Sequence, residues 1–470
     1  MAAAVPISNE DIMNPHQRDT RTIGIIGCGR IGLATACLFA EAGFKIVSSS
    51  TDHSLVHFTK RRKTPYHEPK LDQLVKKHIR TNHITASTNI KEVASVSDVI
   101  IFTVQSSIDK RGEPDYSYVQ KACRKVGMAI RPGCLIIFQS TLGPGITETL
   151  VRETIEKASG LKAGVDFGLA YSPARAAPGR ILQDIATNPR IVAGIDKQSL
   201  TSTCLLLGTI TKGEIVKVAD IKTAEAARMF EDAYANVNVA LANELAEFCE
   251  KFGIDFFETR RAANTDYRCS LKDPEISNGY ASKNSSLLLE EAEAAKAKLR
   301  MLTLAAKTNG SMLSRTLRMV KEALRVGGKT VRRAKLLVLG VSSHPNMKEH
   351  RGSPTKKLVR MLKRRGAFVR VYDPFFSQKE LSQMGYSAER TLTKSVEGVD
   401  CLLIAVGHDR FKRLSLRRMK FLVRKPAAIV DTGRVVDPEK AEKAGFVYRG
   451  IGRGRLNQNG PAALLQKGIN

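Results

Sequence analysis

Residues 23–32 read Ile-Gly-Ile-Ile-Gly-Cys-Gly-Arg-Ile-Gly, a β-branched strand running straight into G-x-G-x-x-G at Gly27, Gly29 and Gly32. The first glycine of this pattern permits a tight turn. The second lets backbone N–H groups approach a pyrophosphate, and the third lets helix and strand pack closely. Gly32 to Ala42 has helical apolar spacing, so the turn opens a helix whose N-terminal dipole favours an anion. Strand, turn and helix in this order are the context the motif requires. They argue against a merely structural glycine turn and predict dinucleotide contacts at Gly27, Gly29, Arg30, Ile31 and Gly32.

Strands and helical stretches then alternate to about residue 195. Lys45-Ile46-Val47, Asp98 to Phe102, Cys134 to Phe138 and Arg190-Ile191-Val192 are short apolar runs separated by amphipathic segments. That alternation predicts βαβ units and a parallel sheet. Thr223 to Phe252 has helical apolar spacing and contains neither Gly nor Pro, which predicts one long helix. A second set of strands follows at Lys335 to Gly340, Phe368 to Pro374, Cys401 to Val406 and Ala427 to Asp431. The expected class is α/β. Two Rossmann-like parallel-sheet domains, over 21–198 and 333–457, are joined by a central long-helix region over 215–325, after a disordered lead-in over 1–20.

In a dinucleotide fold an acid at the end of the second strand holds the ribose. Here that position is Ser50, two residues before Asp52. Asp52 turned toward the ribose suits NAD. Loss of the acid, with Lys60 to Lys63 nearby, suits NADP, and both remain open.

Hydrophobic residues form 43% of the 470, ordinary for a globular chain that builds more than one core. No apolar run reaches bilayer length. The first twenty residues carry Glu10, Asp11 and Asp19 and no apolar segment, which argues against a secretory signal. Eight cysteines show no C-x-x-C spacing. Neither zinc nor a redox pair is expected, and buried thiols in a reducing cytoplasm are. The net charge is +29, with basic clusters at Lys60 to Lys63, Lys356 to Arg365 and Arg410 to Lys425. Such surfaces attract polyanions. Solvated helix faces are the preferred reading, because no nucleic-acid motif accompanies the charge.

Several further segments resemble the UDP-glucose/GDP-mannose dehydrogenase family, in particular its UDP-N-acetylmannosamine branch. Thr64 to Leu71 is similar to S-P-x-x-E-P-G-L, and Asp109 to Asp115 to D-x-x-G-x-P-D. Ser140 to Gly145 is similar to S-T-v-P-P-G, and Tyr171 to Arg175 to Y-S-P-E-R. Asn243-Glu244-Leu245, Arg351 to Pro354, Tyr372-Asp373-Pro374 and Tyr448 to Arg453 resemble N-E-L, R-E-S-P, Y-D-P and Y-R-G-I-G-R. Their order and spacing together are specific. The resemblance implies oxidation of a UDP-sugar C6 alcohol to a carboxylate with two NAD, and a homodimer through the helix from Thr223 to Phe252. It also implies a cysteine that forms a thiohemiacetal before the second hydride leaves, a role suited to thiolate.

The catalytic pattern departs from the family. Its P-G-P-G-V-G-G-H-C-I-P-x-D loop falls on Pro274 to Ser286, which puts Ser282 at the thiol and Ser286 at the aspartate. The helix lysine is Arg228, the asparagine one turn on is Asp232, the glutamate of Y-S-P-E-R is Ala174, and Thr141 is retained. No cysteine lies between 270 and 400, so the missing thiol does not depend on alignment. Cys269 reads as a packed or surface thiol. Two outcomes are expected. One is an NAD(P)-dependent oxidoreductase acting on the CH–OH of a UDP-sugar, in the four-electron family, altered or reduced to a two-electron step, with Thr141, Arg228, Asp232 and Ser282 at its site. The other is an inactive paralogue that binds a nucleotide or nucleotide sugar in a regulatory or assembly role. Arg351 is expected to pair a phosphate or carboxylate bidentately, and with Thr141 to contact the cofactor. Arg190, His344 and His408 are expected to be structural.

Overall fold

The computed structural model describes residues 9–50, 66, 68–104, 106–109, 113–276 and 280–454. The chain forms two compact units, Met1–Asp232 with Ser286–Lys298, and Ala233–Ser285 with Leu299–Asn470.

The first unit is built on β1 (Thr22–Ile26), β2 (Lys45–Ser49), β3 (Ile84–Ser87), β4 (Val99–Phe102), β7 (Leu135–Phe138), β8 (Gly168–Tyr171), β9 (Arg190–Gly194) and β10 (Ile215–Lys217), with a small hairpin of β5 (Ser107–Ile108) and β6 (Pro114–Asp115) beside it. The strand order is β10-β9-β8-β7-β4-β1-β2-β3. Alternate residues of the central strands face opposite cores, as the two-residue period requires. Val99 and Ile101 join Ile23, Ile25 and the helix Arg30–Glu41. Ile100 and Phe102 join Ile136, Phe138 and the helix Ser117–Gly127 on the other face. Phe102 and Phe138, paired across β4 and β7, stack at 4.3 Å.

Two details differ from the expectation. β9 runs antiparallel to β8, and β10 pairs parallel with β9. An antiparallel return needs no crossover. The connection after Tyr171 re-enters from the end it left, and its helix Ile181–Thr187 packs on Arg30–Glu41. The sheet therefore ends at Lys217 rather than at 198, and residue 215 belongs to it rather than to the central helices. Residues 9–20, expected to be disordered, are folded as a helix at Asn9–Met13 and a turn at Arg18–Thr20. Ile12 is fully buried in the first core, and Arg18 clamps the segment by donating to Ile12 O and Ala42 O at 2.7 and 3.2 Å. One buried side chain creates no periodicity that a sequence can display.

The second unit carries β11 (Lys335–Leu339), β12 (Phe368–Tyr372), β13 (Ser387–Ala388), β14 (Cys401–Ile404), β15 (Ala427–Asp431) and β16 (Phe446–Gly450). All pair parallel in the order β13-β12-β11-β14-β15-β16. This is the doubly wound order, whose ligand crevice lies at the carboxyl ends where the order reverses. The long helix runs Ile221–Phe252. Asp220 caps it by accepting from Thr223 N at 2.7 Å, and Gly253 ends it with φ of 78°. Among the described residues, no helix is long and apolar enough to cross a membrane.

Candidate functional site

The switch point of the first sheet lies between β1 and β4, and the glycine turn sits on it. Gly27 has φ of 120° and donates to Ser49 O at 2.7 Å. Thr103, just past β4, donates its hydroxyl to Gly27 O at 2.8 Å. A Cβ on Gly32 would fall 1.8 Å from Gly27 O, so the third glycine is what lets helix and turn close. A Cβ on Gly29 would meet nothing within 4 Å. The turn is thus open at its second glycine, and the helix Arg30–Glu41 has no side-chain cap there. The first N–H groups of a helix lack intrahelical acceptors. Those of Arg30, Ile31 and Gly32 border this open space and fit a pyrophosphate.

Arg30 is held at the rim. Its Nε lies 3.3 Å from Glu68 Oε1, and its guanidinium lies over the Tyr66 ring at 5.3 Å. Glu68, itself buried, accepts from Gly179 N at 2.9 Å. At the ribose end, Ser48 and Ser49 are buried, and their hydroxyls have no partner among the described residues. Ser50 follows β2 directly, while Asp52 and Lys60 to Lys63 lie outside the described residues.

Thr141 follows β7 on the same edge. Ser106 donates to Thr141 O at 3.0 Å, which ties the loop after β4 to the loop after β7. The rest of that loop hangs on Glu225 of the long helix, which accepts from Gly145 N, from Thr147 N at 2.9 Å and from the Thr147 hydroxyl at 2.6 Å. Burial pushes the Glu225 carboxyl up to about 7 against these donors. Tyr116 donates no bond to Gly143 but accepts one from its N–H at 3.1 Å.

One turn beyond Glu225, Arg228 bonds Asp232 Oδ1 at 2.8 Å and Glu231 Oε2 at 3.2 Å. Glu231 also pairs with Arg175, the residue after Ala174. Arg175 in turn donates to Pro189 O at 3.0 Å. Two guanidinium groups and two carboxylates therefore alternate in one ion-pair chain, Arg175–Glu231–Arg228–Asp232. Arg190, at the start of β9, is almost fully buried, and its guanidinium has no partner among the described residues. Burial, with Arg175 adding to it, pushes that group down to about 10.

The first unit thus carries the glycine turn, Ser50, Thr141, Arg228 and Asp232. Ser282 belongs to the second unit, in the first turn of the helix Tyr280–Ala294, and its side chain lies outside the described residues. Arg351 is also in the second unit, exposed, with its N–H on Glu349 at 2.9 Å. Seven of the eight cysteines are buried, and Cys269 is half-buried, donating to Asn264 Oδ1 at 3.5 Å.

At the switch point of the second sheet, Asp373 follows β12 and is buried. It accepts from Val341 N at 2.8 Å and from the Ser342 hydroxyl at 3.0 Å. Asn346 N donates to His408 Nδ1 at 2.9 Å, so Nε2 carries the proton and donates to Asp373 at 3.1 Å. Burial pushes the Asp373 carboxyl up, but His408 and the backbone donors outweigh it and hold it below its ordinary value. Glu225, Glu231 and the inward use of Asp373 were not expected from the sequence. Their partners are mostly backbone N–H groups or residues far along the chain.

Comparison with known proteins agrees with this geometry. Three models of the UDP-glucose/GDP-mannose dehydrogenase family match: the NAD binding domain over residues 21–206, the central domain over 222–311 and the UDP binding domain over 337–438. The chain is 30% identical over 434 residues to a UDP-N-acetyl-D-mannosamine dehydrogenase of Pyrococcus horikoshii, covering 92% of this chain and 99% of the relative. It is 26% identical to the UDP-glucose 6-dehydrogenase TuaD of Bacillus subtilis, covering 96% and 97%. Among solved structures, a UDP-D-ManNAc dehydrogenase from Pyrococcus horikoshii superposes with a TM-score of 0.85 at 29% identity, covering 92% of this chain and all of that one.

Proposed function

The chain belongs to the UDP-glucose/GDP-mannose dehydrogenase family, and from that membership we propose that it is an NAD(P)-dependent nucleotide-sugar oxidoreductase that has lost the thiol-dependent second oxidation. The observation that carries this reading is the pairing of Arg228 with Asp232 and Glu231, together with Ser282 at the thiol position.

A nicotinamide dinucleotide bound at the glycine turn supplies a hydride acceptor. Everything else falls to the chain. The open turn at Gly29 and the helix N-terminus bind the pyrophosphate. Thr141, on a loop fixed by Ser106 and Glu225, positions the sugar hydroxyl. Arg228 presents a guanidinium, a fixed cation with donors and no acceptor, so its role is to stabilise developing negative charge. A serine hydroxyl at 282 has a far higher pKa than a thiol and needs an adjacent base to add to an aldehyde. A two-electron alcohol and aldehyde interconversion needs no such adduct. The alternative, an inactive nucleotide-sugar-binding paralogue, draws support from the same ion-pair chain of Arg175, Glu231, Arg228 and Asp232, in which both carboxylates are engaged by arginines.

A homodimer is part of this reading. Tyr234, Leu241, Phe248 and Phe252 stand exposed at seven- and four-residue spacings on the long helix, and Phe248 and Phe252 stack at 5.2 Å. Such an apolar stripe requires cover. Sedimentation of Phe248→Glu as a monomer, beside a dimeric parent, is the expected result.

The functional test is cofactor reduction across UDP-sugars, with Ser282→Cys beside the parent. At most one reduced cofactor per sugar is expected from the parent. Two per sugar would overturn the loss of the second step. Binding of NADH without any turnover would select the inactive paralogue, and calorimetry showing no binding of NADH or NADPH would remove the cofactor claim.

A further inference from the structure

The positive charge is not spread evenly over the second unit. Parallel strands place their amino ends on one edge of a sheet and their carboxyl ends on the other. The segments entering the four central strands β11, β12, β14 and β15 are residues 329–335, 363–368, 397–400 and 420–426. They contain ten basic and two acidic residues. The segments leaving those strands, 340–354, 373–377, 405–415 and 432–437, contain six basic and four acidic residues. A general basic bias would load both edges alike. The excess lies on the edge away from the crevice where this fold binds nucleotides.

Of the ten basic residues only Lys329 pairs with an acid among the described residues, meeting Asp400 at 2.8 Å. The entering segments are also tied into one rim. Arg333 N donates to Gly366 O at 2.8 Å, and Gly398 N to Leu422 O at 2.8 Å. Lys329 Nζ donates to Arg424 O and Pro426 O, both at 2.6 Å. A groove of about 510 Å³ runs along this rim, lined by Lys335, Lys363, Phe368 and Arg370. Phe368 lines the groove, and a second phenyl ring, Phe421, belongs to the entering segment 420–426. Phe368 is 63% exposed and Phe421 is 77% exposed, with the Lys420 and Lys425 ammonium groups 5.6 and 5.8 Å from the Phe421 ring centre.

We propose that this amino edge of the second sheet binds single-stranded nucleic acid, with phosphates on the unpaired lysines and arginines and bases stacked on Phe368 and Phe421. The charge alone suits any polyanion. The rings decide among them. A base offers a π-face to an exposed phenyl beside cations, which is the design of sequence-tolerant single-strand platforms. An acidic glycan has no such face. A lipid surface asks for a continuous apolar face rather than two rings set among lysines and arginines.

The test uses the full-length protein and the fluorescence anisotropy of a labelled oligothymidylate of about twenty nucleotides. Binding should weaken steeply between about 50 and 200 mM salt as counterion release is suppressed. The triple variant Lys363→Glu/Arg365→Glu/Lys425→Glu should lose at least 100-fold in affinity and flatten the salt slope. Phe368→Ala/Phe421→Ala should lose about tenfold with the salt slope unchanged, since stacking releases no counterion. Lys412→Glu/Arg413→Glu, on the carboxyl edge, should stay within about threefold, as single-site screening at that distance predicts. Thermal melting of each variant close to the parent shows that the fold survives. No binding at low salt overturns the proposal. So does a carboxyl-edge loss equal to the amino-edge loss. Equal binding of a polyuronate or of phosphatidylserine vesicles, with the phenylalanine variant indistinguishable from the parent, overturns it in favour of a charge-only or lipid surface.

Discussion

The two sheets share the strand order around their switch points and use the ends of their first two strands in opposite ways. After β1 the chain turns at once into a helix, and the space at Gly29 stays open. After β11 it takes a loop over 340–354 before the helix Thr355–Arg364. There the acid after β12 is turned inward, where Asp373 collects Val341 N, Ser342 and His408. The first unit has small hydroxyl groups at the matching strand end and leaves two of them, on Ser48 and Ser49, without partners among the described residues. A shared topology therefore fixes where a crevice lies. Whether the crevice is filled by the protein itself depends on one side chain at the end of the second strand.

Removing that side chain from the second unit is the strongest way to break the comparison. Asp373→Ala strands a buried histidine and three backbone donors, on Val341, Ser342 and Phe375, and should cost about 3–5 kcal/mol of the second unit's stability. Chemical denaturation measures it. The carboxyl is held below its ordinary value, so its contribution is present above the unfolded aspartate value and is lost as pH falls through the folded one. The variant should lose that acid-side fall. A cost below about 1 kcal/mol, the level of an ordinary surface change, would show that the Asp373 knot does not hold the loop.

In the first unit the matching test is Gly32→Ala. A methyl 1.8 Å from Gly27 O and 2.6 Å from Thr103 Oγ1 cannot be absorbed by a rotamer change. Strain of roughly 3 kcal/mol corresponds to ~100-fold in NADH affinity, read by calorimetry. Gly29→Ala meets no atom of the protein within 4 Å, so it should melt like the parent and still bind NADH more weakly. Parent-like NADH binding by Gly29→Ala would reduce the turn to a structural device.

Glu225 gives a smaller, pH-dependent effect. Its folded value of about 7 lies above the unfolded glutamate value, so the folded state holds the extra proton between the two. Stability should therefore fall as pH rises from about 4.5 to about 7, by ~2–3 kcal/mol at ~1.4 kcal/mol per unit. Glu225→Gln should flatten that slope in thermal melts. A parent curve that rises over this window would mean that the donors at Gly145 and Thr147 keep the carboxylate charged.

What was legible in the sequence follows from the range of the interactions. The glycine turn, the strand alternation and the long helix are local patterns, and each stands where its residues placed it. The Arg228 and Asp232 pair is visible as an i,i+4 spacing. Its extension through Glu231 onto Arg175, 56 residues away, is not. Ile12 acts through burial of one side chain in the first core, and Asp373 through donors on residues 341, 342 and 408, so neither leaves a period to read. The reversal of β9 was hidden because strand direction depends on the path of a connection, not on the strand's own residues.

The last test returns to the end of β2 and asks whether the first unit can be given the acid it lacks. Ser50 stands where a carboxylate would accept a hydrogen bond from the ribose 2′-hydroxyl. Ser50→Asp should tighten NADH about tenfold, near 1.4 kcal/mol for one charged hydrogen bond, and weaken NADPH by repelling its 2′-phosphate. The parent should then show little preference between the two. A parent that already favours NADH by about 100-fold, a ratio worth ~2.7 kcal/mol, would place a carboxylate at the ribose without Ser50. Asp52 is the residue to substitute in that event, since its loss alone would then erase the preference.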